Sequence, residues 1–112
     1  LSQTVLMKGI NDSRKILIEL MQELVSIGVK PYYLHHLDPA VGTHHFRVSI
    51  EEGKKLYQSL RGHISGHAIP EYVLDTPGGH GKIPVMWFQK VGIKEYEAEN
   101  YEGKTIRYID HA

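Results

Sequence analysis

The 112-residue chain contains no cysteine. That excludes disulfides, thiolate zinc sites and any cysteine-held iron–sulfur cluster within it. Net charge is lacking too. Thirteen Lys and Arg balance thirteen Asp and Glu, so no overall field draws the chain to nucleic acid or to an acidic membrane, and neither is expected as a partner. Long hydrophobic runs are missing as well: none approaches the roughly 20 residues that span a bilayer. Lys8, Asn11 and Asp12 interrupt the only early apolar run, so no secretory signal peptide is expected. A cytoplasmic location is the resulting expectation. There is no internal repeat and no low-complexity segment.

What is present suits one domain with a modest core. The chain opens at Leu1 almost directly in strand-like sequence, which predicts a piece of a longer polypeptide. Thr4-Val5-Leu6-Met7 reads as a buried strand, and Gly9 to Ser13 as a turn whose Asn, Asp or Ser caps a helix. That helix is predicted from about Arg14 to Ile27. Ile16, Leu17, Leu20, Met21, Leu24, Val25 and Ile27 recur at three- and four-residue steps, and Gly28 follows as its C′ residue. Pro31 to Leu37 reads as a second strand ending at Asp38-Pro39. Ser49 and Glu52 form a capping box for a second helix to about Arg61, with Leu56, Tyr57 and Leu60 inward. A connector leads to a third strand, Glu71 to Leu74.

Strand, helix, strand, helix, strand with connections of this length implies parallel pairing and right-handed crossovers. Asn11-Asp12, Asp38 and Asp75 would then lie just past the carboxyl ends of the strands, the edge where α/β sheets form ligand sites. Beyond Lys82 the pattern changes. Val85 to Gln89, Ile93 to Glu99 and Thr105 to Ile109 alternate apolar and polar residues, and Glu102-Gly103 is a turn signal. The expected division is a βαβαβ unit over 1–82 and an antiparallel β extension of two or three strands over 83–112.

The stretch most suggestive of chemistry runs from Tyr72 through Asp75 to Gly78-Gly79-His80-Gly81-Lys82. Glycine at this density lets a backbone approach a ligand closely, and its successive N–H groups can cup an anion. Lys82 then serves either as a phosphate contact or as an amine nucleophile toward an aldehyde. The alternative is a plain Pro-Gly turn with a solvated lysine. A nucleotide P-loop is excluded: the spacing is too short, Ile83 replaces Ser or Thr, and Pro84 opposes a following helix. The eight histidines do not make a metal site at any recognisable spacing. His35 and His36 are strand neighbours and so point to opposite faces, and glycines flank the His63/His67 pair.

Several phrases in order resemble the lysine 2,3-aminomutase family. They are Gln3-Thr4-Val5-Leu6 with Gly9-Ile10-Asn11-Asp12, Pro31-Tyr32-Tyr33-Leu34 leading to Asp38, and His45-Phe46. Arg61-Gly62-His63-Ile64-Ser65-Gly66 with Pro70, and Asp75-Thr76-Pro77-Gly78-Gly79-x-Gly81-Lys82, complete the set. The resemblance covers nearly all of this chain but only the C-terminal portion of such an enzyme. It implies an α/β fold, the C-terminal part of a partial (β/α) barrel with three parallel strands, two helices and an antiparallel β tail. It also implies a radical S-adenosylmethionine enzyme that interconverts L-lysine and L-β-lysine on pyridoxal phosphate.

By the same resemblance, Lys82 matches the lysine that holds pyridoxal phosphate as an internal aldimine. Asp38 and Asp75 match the carboxylates that grip the substrate's ε-ammonium, and Gln3 matches a position near S-adenosylmethionine. The [4Fe-4S] ligands would lie in a missing N-terminal part, and a homo-oligomer is expected. Ser13 stands where some members carry a zinc-binding cysteine, so no structural zinc is expected, and His80 occupies a loop position that is often glycine. A fragment of this kind should carry half a site and no activity alone. The rival reading is a non-catalytic α/β interaction or dimerisation module.

Overall fold

The computed structural model describes residues 2–36, 48–64, 66–75 and 81–110. Asp38, the 40–47 loop and the glycines at 78 and 79 lie outside the described residues. Two sheets and two helices make up the fold. The first sheet holds β1 (Ser2–Leu6), β2 (Pro31–His36), β3 (Glu71–Asp75) and β4 (Lys82–Pro84), in that spatial order. β1, β2 and β3 run parallel, and β4 returns antiparallel to β3. The second sheet is antiparallel: β5 (Gln89–Lys90), β6 (Glu95–Glu99) and β7 (Thr105–Ile109).

Helix α1 spans Arg14–Ser26. Its N-cap Ser13 makes no side-chain capping bond. The polar residues before it shape the turn instead. Asn11 Oδ1 accepts from Met7 N at 2.7 Å, Asn11 Nδ2 donates to Val5 O at 2.9 Å, and Asp12 Oδ1 accepts from Gly9 N at 2.9 Å. At the other end Gly28 takes φ +81°, which allows Gly28 N to reach Val25 O at 3.0 Å and Val29 N to reach Leu24 O at 2.8 Å. These two bonds are a Schellman stop. The buried stripe is narrower than the periodicity predicts: Leu17 and Met21 are buried, while Ile16 and Ile27 face solvent.

Helix α2 spans Ile50–Ser59, ending two residues short of the expected Arg61. Ser49 Oγ accepts from Glu52 N at 3.1 Å and lies 3.0 Å from Glu52 Oε1, to which its hydroxyl donates. A second cap comes from the far end of the chain, where Asp110 Oδ2 accepts from Ile50 N at 2.9 Å. Lys54 Nζ donates to Phe88 O. The tail thus holds α2 at both levels, and Val85, Phe88, Tyr96, Ala98, Ile106 and Tyr108 join the same hydrophobic core as the helices.

One expected strand is corrected. Val85 to Gln89 is a 3-10 turn, Val85–Trp87, followed by the two-residue β5. Val85 and Phe88 are buried and Trp87 is exposed, a three-residue spacing that suits a turn and not a strand. In a continuous apolar run the period cannot be read from composition. β6 and β7 do alternate, with Tyr96, Ala98, Ile106 and Tyr108 inward. The expected boundary between 82 and 83 falls inside β4.

Candidate functional site

The register of the first sheet divides its residues between two faces, because alternate strand residues point to opposite sides. Thr4, Leu34 and Tyr72 align across one face, followed by Leu6 with His36, and Leu74 with Ile83. This face carries the core shared with Leu17 and Met21 of α1 and Ile50 of α2. The opposite face aligns Val5, His35, Val73 and Pro84, and next to them pairs Asp75 with Lys82. Of the sequence-predicted site residues, Asp75 and Lys82 fall beside this second face, and Asp38 lies outside the described residues.

Asp75 ends β3 and Lys82 begins β4, so the two are direct cross-strand partners. Gly81, at φ +85°, sets the backbone just before the lysine in a conformation that L side chains rarely adopt. Lys82 Nζ lies 3.7 Å from Asp75 Oδ1 and 5.5 Å from the centroid of the Tyr33 ring. Both side chains keep substantial exposure, 40% for Lys82 and 53% for Asp75. An exposed pair of this kind, even with the cation near a half-buried ring, stabilises by no more than about 1 kcal/mol. Their value lies in placement: a primary amine and a carboxylate converge on one accessible surface.

His35 completes the group. Its Nδ1 lies 3.8 Å from Asp75 Oδ2, opposite the oxygen that faces Lys82. Burial pushes its imidazole below the ordinary histidine range, with Lys82 acting in the same direction and Asp75 against it. Tyr33 and His35 were not among the residues singled out by sequence as site residues. The signal that finds them is the period-two placement of Tyr33 and His35 on the strand beside Asp75. Gln3 lies in β1, in register with Tyr33. Asn11 and Asp12, expected at the same edge, are engaged in their own turn.

Across the sheet, His36 has a different fate. It is buried, and its Nδ1 shares a 2.6 Å hydrogen bond with the Tyr72 hydroxyl. Burial lowers its pKa to about 4, with Asp110 opposing. The Tyr72 hydroxyl fits because α2 carries Gly53 there: a Cβ at Gly53 would sit 2.0 Å from that oxygen. Adjacent histidines thus serve opposite faces, as strand geometry requires. No group of three or more metal-binding side chains occurs among the described residues, and no helix there is long and apolar enough to cross a membrane.

The family model described as lysine-2,3-aminomutase matches residues 57–110. An L-lysine 2,3-aminomutase of Methanococcus maripaludis is 44% identical over 111 residues, covering 97% of this chain and 26% of the relative. An L-lysine 2,3-aminomutase of Bacillus subtilis is 48% identical over 85 residues, covering 76% of this chain and 18% of the relative. A glutamate 2,3-aminomutase of Clostridioides difficile is 38% identical over 111 residues, again covering 97% and 26%. The chain therefore spans about a quarter or less of the length of these relatives. With the Asp75 and Lys82 loop ends placed as described, these matches mean that the chain belongs to the lysine 2,3-aminomutase family, as a C-terminal segment of it.

Proposed function

We propose that this chain is the C-terminal part of an L-lysine 2,3-aminomutase, an isomerase that interconverts L-lysine and L-β-lysine by radical 1,2-amino migration on pyridoxal phosphate. In this reading Lys82 holds the cofactor covalently through its ε-amine. Asp75, together with Asp38, grips the distant ammonium of lysine, and Gln3 lies near S-adenosylmethionine. The observation that carries the reading is the convergence of the Lys82 amine and the Asp75 carboxylate, 3.7 Å apart, on the sheet face away from the helices. That arrangement also supports the partial (β/α) barrel, in which helices cover one side of the strands and the other side faces a lumen.

The residues present suit the pyridoxal group. Lys82 is accessible, follows a glycine with positive φ, and rests beside an aromatic ring. When bound, pyridoxal phosphate supplies an aldehyde carbon that takes up amines and a ring that spreads unpaired or negative charge. The chain's own contribution is to orient. Lys82 presents the amine, Tyr33 flanks it, and Asp75 offers a negative charge to the far end of a basic amino acid. A substrate without the second ammonium leaves such a carboxylate without its partner, which disfavours it. No residue of this chain can hold a thiolate-ligated cluster, since it has no cysteine.

The test is kinetic. In the full-length protein that contains this segment, Asp75→Ala and Asp38→Ala should raise the KM for lysine or lower turnover. Wild-type kinetics in both variants would remove the ammonium clamp. The rival, a non-catalytic module, draws support from β1, which is an edge of the four-stranded sheet among the described residues. It predicts concentration-dependent association without any amine chemistry at Lys82.

A further inference from the structure

His35 has no assigned part in the proposed activity, yet it is the side chain best placed to control Asp75. It stands on β2 in register with Val5 and Val73, on the same sheet face as Asp75 two residues further along β3. Only 13% of its side chain is exposed, against 53% for Asp75. Its Nδ1 faces Asp75 Oδ2 at 3.8 Å, and its Nε2 is buried with no hydrogen-bond partner among the described residues. The Tyr33 ring lies 5.6 Å away, centroid to centroid.

These facts select a protonation state. A proton on Nε2 would be a buried donor with no partner among the described residues, which is unfavourable. It would also leave the lone pair of Nδ1 facing a carboxylate. A proton on Nδ1 alone removes the clash with the carboxylate and aims the donor at Oδ2, while Nε2 becomes an unpaired acceptor in place of an unpaired donor. A proton on both would again strand the buried Nε2–H.

We propose that His35 is a positioning residue for Asp75: its neutral imidazole donates from Nδ1 toward Oδ2 and so leaves Oδ1 as the oxygen offered to an alkylammonium group. The inference rests on the reading of Asp75 as the substrate's ammonium acceptor. Lys82 Nζ lies 3.7 Å from Oδ1, so that oxygen is open to approach by a side-chain amine. The separation to Nδ1 is longer than a hydrogen bond, so the contact acts through charge and direction. Neutrality matters as much as direction. A cationic His35 would satisfy the carboxylate and compete with the substrate. The charged and titratable groups facing it are Tyr33 on its own strand, Asp75 on β3 and Lys82 on β4; burial and Lys82 outweigh Asp75 and keep it neutral.

The direct test is the tautomer of His35, read by long-range ¹H–¹⁵N correlation on the ¹⁵N-histidine-labelled chain at neutral pH. The expected result is a neutral ring protonated on Nδ1, changing to the Nε2 tautomer in Asp75→Ala. An Nε2–H or cationic ring in the wild-type chain overturns the inference. In the full-length protein, His35→Phe should raise the KM for lysine at least fivefold with kcat within about twofold. His35→Asn, whose amide donates from a similar position, should restore KM to within about twofold of wild type. An unchanged KM in His35→Phe also overturns it. The tautomer measurement needs neither cofactor nor substrate. An Nδ1–H ring in a protein with no lysine turnover would therefore refute the proposed activity and leave the geometry of His35 standing.

Discussion

The two faces of the first sheet treat the same chemistry in opposite ways. On the helix side, His36 is sealed in beside the Tyr72 and Tyr108 rings and hydrogen-bonds the hydroxyl that Gly53 makes room for. On the other side, His35, one residue earlier, meets the exposed carboxylate of Asp75 and shares it with Lys82. Polar groups on the first face serve stability, because an unmatched one is expensive in the core. Polar groups on the second face contribute little stability and remain available to a ligand. Burial, not residue type, separates structure from function here.

The largest expected effect belongs to the buried face and is a pH dependence. His36 has a pKa of about 4 in the folded chain and about 6.5 unfolded, so the unfolded state binds the extra proton between those values. Stability from this group is complete above about pH 6.5 and is lost as pH falls toward 4, by about 3 kcal/mol in total. Urea unfolding across that range should show the slope, and His36→Phe should flatten it. Next comes Gly53→Ala, which places a methyl group 2.0 Å from the Tyr72 oxygen. A net loss of about 2 kcal/mol is expected despite alanine's better helix propensity. A neutral or stabilising result would mean that α2 and β3 do not approach so closely.

Ser49→Ala should cost about 1 kcal/mol by removing the bond from Glu52 N to the N-cap oxygen. Smallest of all, Lys82→Ala should change unfolding free energy by less than about 1 kcal/mol, as expected for an exposed pair. If Lys82→Ala proved as damaging as Gly53→Ala, the contrast between the faces would fail.

Much of this organisation was legible in the residues. The Schellman glycine at 28, the Ser49–Glu52 cap and the alternation of β6 and β7 are local devices, written within a few neighbouring positions. The parallel order of β1, β2 and β3 followed from connection length. What escaped depends on distant partners. Gly53 reads as a weak point in a helix until Tyr72 is placed beneath it. The cap on Ile50 by Asp110 joins residues 60 positions apart. β4 turns back along β3, and no period in the residues announces that reversal. In the candidate site, Asp75 and Lys82 stood out by motif, whereas His35 and Tyr33 needed the register of β2 against its neighbours.

The central claim is that one amine, on the open face beside Asp75, is set apart for an aldehyde cofactor. Incubation of the folded chain with pyridoxal phosphate, borohydride reduction and peptide mapping tests it most directly. The account predicts a pyridoxyl adduct concentrated on Lys82 and absent from Lys82→Ala. An adduct spread over the other lysines, or none at Lys82 in a chain whose circular dichroism is native, would contradict it.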